Sequence, residues 1–137
     1  LCAGRTIELF VYAAGTSTLE FSNTAPLDGS GNFSVSGITP GTYDLYVKTA
    51  GYLQKVSTAV SLTDGSNPVS FGGLLAGDIN GDNIVDINDF TLFSAAFQSI
   101  AGSVNYNPAA DFNCDGQIDI LDFTLFSPQF NTMGDQP

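Results

Sequence analysis

The sequence predicts two modules: a small all-β antiparallel sandwich over residues 1–75, then an α-helical pair of loop–helix motifs over residues 76–137. Three observations carry this reading. The first half shows only short alternating apolar runs broken by Gly, Pro, Asn and Asp, with no sustained helical period. The second half contains one unit written twice. Gly77–Phe97 and Ala110–Phe130 lie 33 positions apart and are identical at 12 of 21 aligned positions, four of them aspartates. Composition changes at the same place: Arg5, Lys48 and Lys55, the only bases, all precede residue 76, whereas nine of the fourteen acids follow it.

Along the first module, strands are expected at Thr6–Tyr12, Thr18–Asn23, Gly31–Gly37, Gly41–Lys48, Lys55–Leu62 and Val69–Leu74. Turns are expected at Pro26–Gly31, Thr39–Gly41 and Thr63–Pro68. Strands this closely spaced suit a sandwich. Phe33, Val35, Tyr43, Leu45 and Val47 alternate toward one core, and Pro40-Gly41 turns the chain between their strands. The block GNFSVSGITPGTYDLYVKTAGYL, Gly31–Leu53, resembles the carboxypeptidase-regulatory-like (transthyretin-like) sandwiches of secreted modular proteins. That resemblance implies a fold rather than a function, so a spacer or stability role is the default. Tyr12, Tyr43, Tyr46 and Tyr52 are the side chains a sugar platform would use, although aromatics in alternating strands also build cores.

Each copy in the second module opens with carboxylates spaced for one hard cation. Calcium takes roughly six to eight oxygens, and a loop of about twelve residues supplies them from positions 1, 3, 5, 7, 9 and 12, the seventh through its backbone carbonyl. In the first copy these are Asp78, Asn80, Asp82, Ile84, Asp86 and Asp89; in the second, Asp111, Asn113, Asp115, Gln117, Asp119 and Asp122. Two calcium ions are therefore expected. Position 6 needs a sharp turn with positive φ, which suits Gly116 and, next best, Asn83. Position 12 is Asp rather than Glu, a shorter arm, so the following helix must start close to the metal.

After each loop, Phe90, Phe93 and Phe97, and again Phe123, Phe126 and Phe130, fall at helical spacing. Asp89 and Asp122 are placed at the helix starts, where the dipole favours a carboxylate. Val85 and Ile118, at position 8, are expected to join the loops through a short β-bridge. Pro128 interrupts the second helix.

These residues resemble a dockerin, the duplicated F-hand calcium module that docks onto cohesin domains; the resemblance covers about residues 76–133. It implies two loop–helix motifs in near two-fold symmetry, with a short middle helix near Asn107–Ala110. It also implies partner contacts at Ile87, Asn88, Ser94, Ala95 and Ser99 in the first copy, and at Ile120, Leu121, Ser127, Pro128 and Thr132 in the second. The Ser/Thr pair and basic residues of the cellulosomal type I pattern are absent from these positions. That points toward the dockerin-like modules of secreted proteins from bacteria without cellulosomes. Because the copies differ at these positions, one working docking face is expected rather than two.

A net charge of −11, with no base after residue 55, excludes a nucleic-acid footprint. It also couples metal to fold, because two clusters of four carboxylates repel until cations neutralise them. Catalytic residues are not expected: the chain has no His, neither cysteine has a base beside it in sequence, and Glu8, Glu20, Asp28, Asp44 and Asp64 are scattered. No run is long enough to span a membrane. The chain opens at Leu1 without Met or signal peptide and reads as the C-terminal end of something longer, with localisation expected to be secreted or at a bacterial cell surface. Cys2 and Cys114 form the one intramolecular disulfide available, and sequence leaves open whether they are bonded. If they are not, Gly72-Gly73 offers a hinge.

Three functional readings follow: a monomeric, non-catalytic, calcium-dependent docking module for a cohesin-like partner; a calcium-stabilised structural cap without a partner; and a carbohydrate-binding module led by the sandwich.

Overall fold

The computed structural model describes residues 2–137. Four antiparallel strands, β1 (Thr6–Ala13), β2 (Leu19–Pro26), β3 (Gly41–Lys48) and β4 (Lys55–Leu62), form one sheet in the order β2-β1-β3-β4. The alternation in β1 does what period two requires. Ile7, Leu9 and Val11 all point to one buried face, where they join Leu45 and Val47 of β3 and Leu62 of β4.

The fold differs from the expected sandwich followed by an α-helical module. The regular structure is mostly strand with two small helices, and the first half is a single sheet rather than two facing sheets. Residues 31–37 and 69–74, expected as strands, pair with nothing in a ladder. They lie as irregular chain over the buried face, bringing Phe33, Val35, Val69 and Phe71 against it, with Phe33 and Phe71 stacked at 6.3 Å. The physical reason is that alternation reports one-sided burial, which a covering segment satisfies without strand pairing. Gly31 and Gly37 at the ends of one segment, and Gly72 within the other, take positive φ and turn the chain out of an extended path. The cover is loose: a cavity of about 790 Å³ remains beneath it.

The second half carries α1 (Ile87–Ala96), β5 (Ser99–Ile100), β6 (Gln117–Ile118) and α2 (Ile120–Phe126), followed by a 3-10 turn at Ser127–Gln129. Pro128 lies in that turn, and α2 stops at Phe126 where α1 continues through three more residues. The expected middle helix near Asn107–Ala110 is only a turn, with Asn107 Oδ1 accepting the Ala109 N–H and its carbonyl accepting that of Ala110.

The backbone pairing between the copies also differs from the expected Val85–Ile118 bridge. Each loop instead pairs with the segment after the other copy's helix: Ser99 with Ile118, and Ile84 with Met133. Val85 and Ile118 themselves are fully buried in one cluster with Phe93, Phe112 and Phe126. The near two-fold exchange thus keeps both position-8 side chains in the core while their main chains serve as short ladder edges.

That cluster also includes Tyr52 and Leu53 from the connection between β3 and β4. Tyr52 meets Phe112 edge-on at 5.9 Å and donates its hydroxyl to the Phe112 carbonyl at 2.8 Å. Gly77 N–H donates to Gly51 O, Leu53 N–H to Leu75 O, and Tyr52 bridges Ala76. Gly51 is required at this approach, since it has φ of 83° and a Cβ there would lie 2.1 Å from the Ala109 carbonyl oxygen. Gly51→Ala is expected to cost about 1–3 kcal/mol from the backbone conformation alone, with the clash added. Denaturant unfolding measures it.

Cys2 and Cys114 are bonded, with Cα atoms 5.5 Å apart. The bond ties the start of the chain to position 4 of the second loop. Arg5 reinforces the tie: its guanidinium donates to the carbonyls of Pro108 and Asp111 at 2.8 Å and to Ala50 O, and lies over the Tyr52 ring.

Candidate functional site

The two loops are built by the same hydrogen bonds, position for position. Position 1 is buried: Asp78 Oδ1 accepts Gly81 N–H at 2.7 Å and Oδ2 accepts Asn83 N–H at 2.9 Å. Asp111 accepts Cys114 and Gly116 N–H groups at 2.8 and 3.0 Å in the same way. Position 3 accepts the N–H of position 5, Asn80 from Asp82 and Asn113 from Asp115. Position 5 accepts that of position 7, Asp82 from Ile84 and Asp115 from Gln117. Such side-chain turns suit Asp and Asn and bend the chain about the acidic side chains. Asn83 and Gly116, at position 6, both take positive φ, 68° and 82°.

Position 12 closes each loop. Asp89 Oδ1 accepts the N–H groups of Ile79 and Asn80, and its Oδ2 accepts that of Asp86. Asp122 does the same for Phe112, Asn113 and Asp119. Both carboxylates are fully buried. Desolvation by burial raises each pKa above the ordinary 3.8, against the three N–H donors that lower it. The helix starts lie three residues earlier than the expected Asp89 and Asp122. Asp86 and Asp119 are the N-caps, each in a reciprocal capping box with position 12. Each helix therefore begins inside its loop, at position 10.

The donor set in each loop is oxygen only, in an order and kind that fit a hard divalent cation. Among the described residues, no three acidic or thiol side chains are gathered closely enough to hold a metal ion. Each of these carboxylates accepts N–H groups of its own loop.

Eight of the ten expected partner positions are exposed: Ile87, Asn88, Ser94 and Ala95 in the first copy, and Ile120, Leu121, Ser127 and Pro128 in the second. Ser99 is instead buried, its hydroxyl turned to the Ala96 carbonyl, and Thr132 is half-buried, because both belong to the exchanged ladder edges. Composition alone missed a symmetric apolar surface. Ile87 and Ile120 are 61% and 59% exposed, and Leu92 with Leu125 and Phe97 with Phe130 are exposed in matching pairs. The repeat alignment carried that signal.

The four tyrosines of a sugar platform do not share a surface. Tyr46 and Tyr52 are buried, with hydroxyls donated to the Gln136 and Phe112 carbonyls, and Tyr43 donates to Thr39 O. No helix among the described residues is long and apolar enough to cross a membrane.

Residues 76–131 match the family model of the dockerin type I domain. Dockerin domains are non-catalytic, calcium-binding docking modules. The chain is similar in fold to two solved structures of a type II cohesin–X–dockerin complex from Acetivibrio cellulolyticus. The N-terminal interface mutant is 24% identical, with 92% of this chain and 82% of that one covered at a TM-score of 0.66. The C-terminal interface mutant is 23% identical over the same shares, with a TM-score of 0.67. No curated protein matches the chain.

Proposed function

We propose that residues 76–137 form a calcium-dependent docking unit that binds a cohesin-like domain, and that residues 1–75 brace it. The observation that carries this reading is the paired loops. Two oxygen-only loops with identical hydrogen-bond schemes each feed a helix whose outer face is apolar and unpartnered. A cap without a partner has no use for exposed Ile, Leu and Phe at matching positions of both copies, and such patches mark interaction sites.

Asp78, Asn80, Asp82, Asp86 and Asp89, with the Ile84 carbonyl, would hold one ion. Asp111, Asn113, Asp115, Asp119 and Asp122, with the Gln117 carbonyl, would hold the other. Calcium would supply the positive charge that draws these carboxylates together. The loops already fix their backbone turns and cap the helices, so the ion's binding energy adds to the stability of the helix pair.

The second copy is the better docking face, because Ile120-Leu121 is apolar where the first copy has Ile87-Asn88. The setting is extracellular: a disulfide is stable there, and free calcium is abundant. The protein would be secreted or held at a cell surface.

Calorimetric titration of a type II cohesin into the full chain tests this. Binding is expected in calcium, lost in excess chelator, and weakened at least tenfold by Leu121→Asp but not by Asn88→Asp. Equal binding in calcium and chelator would sink the proposal.

A further inference from the structure

The two loops hold their position-1 aspartates by the same internal bonds, and the difference between them comes from outside and carries charge. Oδ2 of the position-1 aspartate takes a second donor from outside the loop in each copy. For Asp111 that donor is the neutral phenol of Tyr106, at 2.7 Å. For Asp78 it is the ammonium of Lys48, which also donates to Tyr52 O at 2.6 Å. Asp78 is fully buried and the Lys48 side chain only 15% exposed, so little water screens the pair. It is the one ion pair among the described residues. Arg5, the other cation near a loop, bonds the Asp111 main-chain carbonyl and stays outside ion-pair range of its carboxylate.

Resting on the calcium reading above, we propose that Lys48 sets the two sites apart, making the first loop the weaker calcium site. In both copies Oδ1 keeps only the position-4 N–H and is the oxygen left to face a cation. Oδ2 is held by the position-6 N–H and the outer donor, which orients the carboxylate as partners of metal ligands do. Tyr106 orients Asp111 without charge. Lys48 orients Asp78 equally well but also holds a full positive charge against it. A charge within about 4–6 Å changes a carboxylate's affinity for a proton by roughly ten- to a thousandfold, and a divalent ion feels the same field more strongly. The metal-free first loop gains in return, since Lys48 already neutralises one of its four carboxylates. Both loops are thus tied to the strand-bearing half of the chain, but only the first is tied by a cation on its carboxylate; the second is held by a disulfide, main-chain carbonyls and a neutral phenol.

Amide NMR of the 15N-labelled full chain during calcium titration reads the loops separately, through Gly81 and Asn83 for the first and Cys114 and Gly116 for the second. In the unmodified protein, the second-loop amides are expected to reach their calcium-bound positions at free calcium at least tenfold lower than the first. In Lys48→Gln that gap closes, while Tyr106→Phe leaves the order unchanged. Loops filling together or first loop first in the unmodified protein would overturn the proposal, as would an unchanged gap in both Lys48→Gln and Lys48→Met. If a Lys48 variant loses its dispersed spectrum, the filling order of the unmodified chain alone decides. Failure of the calcium reading itself looks different: no amide in either loop moves at saturating calcium, and this proposal falls with it.

Discussion

Reducing the Cys2–Cys114 bond is expected to cost about 4–5 kcal/mol of stability, the chain-entropy value for a closed loop of roughly a hundred residues. The bonded residues are separated by 112 positions, so the bond restrains nearly the whole unfolded chain. The native state has other ties at the same place. Arg5 still reaches Pro108 and Asp111, Tyr52 still caps Phe112, and the Gly77 N–H still reaches Gly51 O. The loss should therefore appear mostly as a more expanded denatured state, with little change in the folded one. Guanidinium unfolding in calcium, with and without reductant, measures it; the Cys2→Ser, Cys114→Ser double variant should match the reduced protein. A change below about 1 kcal/mol would mean that the chain ends are already held together when unfolded.

Phe126→Ala should be nearly as damaging, at about 3–5 kcal/mol, the range for deleting a buried Phe. Phe126 is 1% exposed and stacks on Phe93 of the other copy at 5.5 Å, with Phe90 and Phe123 each at 6.3 Å. The helices are joined through their phenylalanines. Truncation leaves a cavity between the two motifs, so both loops should loosen together although the residue belongs to one. Phe90→Ala, at a position 40% exposed, is the control and should cost far less. Thermal unfolding of the two variants in calcium separates them, and equal costs would show that the apolar seam lies elsewhere.

The repeat was legible because hydrogen-bond chemistry there is local. Asp and Asn two residues apart form the same turns wherever they occur, and position 12 can only reach back to its own loop. Helix starts were misplaced by three residues because Asp86 and Asp89, like Asp119 and Asp122, are both good at a helix N-terminus. Only the reciprocal capping box decides which one is the cap. The sandwich expectation failed for a related reason. In residues 31–37 and 69–74, Phe33, Val35, Val69 and Phe71 alternate because one side is buried, and nothing in that alternation says whether a ladder partner exists.

The exchanged ladder edges, the burial of Ser99 and the Lys48–Asp78 pair were not readable at all, since each depends on residues distant in sequence meeting across the fold. In sequence Tyr52 suits a sugar platform or, more often, a core. In the fold it enters the core of the second half together with Leu53.

If calcium organises this surface for a partner, calcium loading and cohesin binding are coupled, and calorimetry reads both. The chelator-treated full chain is titrated with calcium, first alone and then with a type II cohesin present. Two ions per chain are expected, with cohesin binding heat that appears only as those ions load. A stoichiometry other than two, or a cohesin that binds the calcium-free chain equally well, would contradict it.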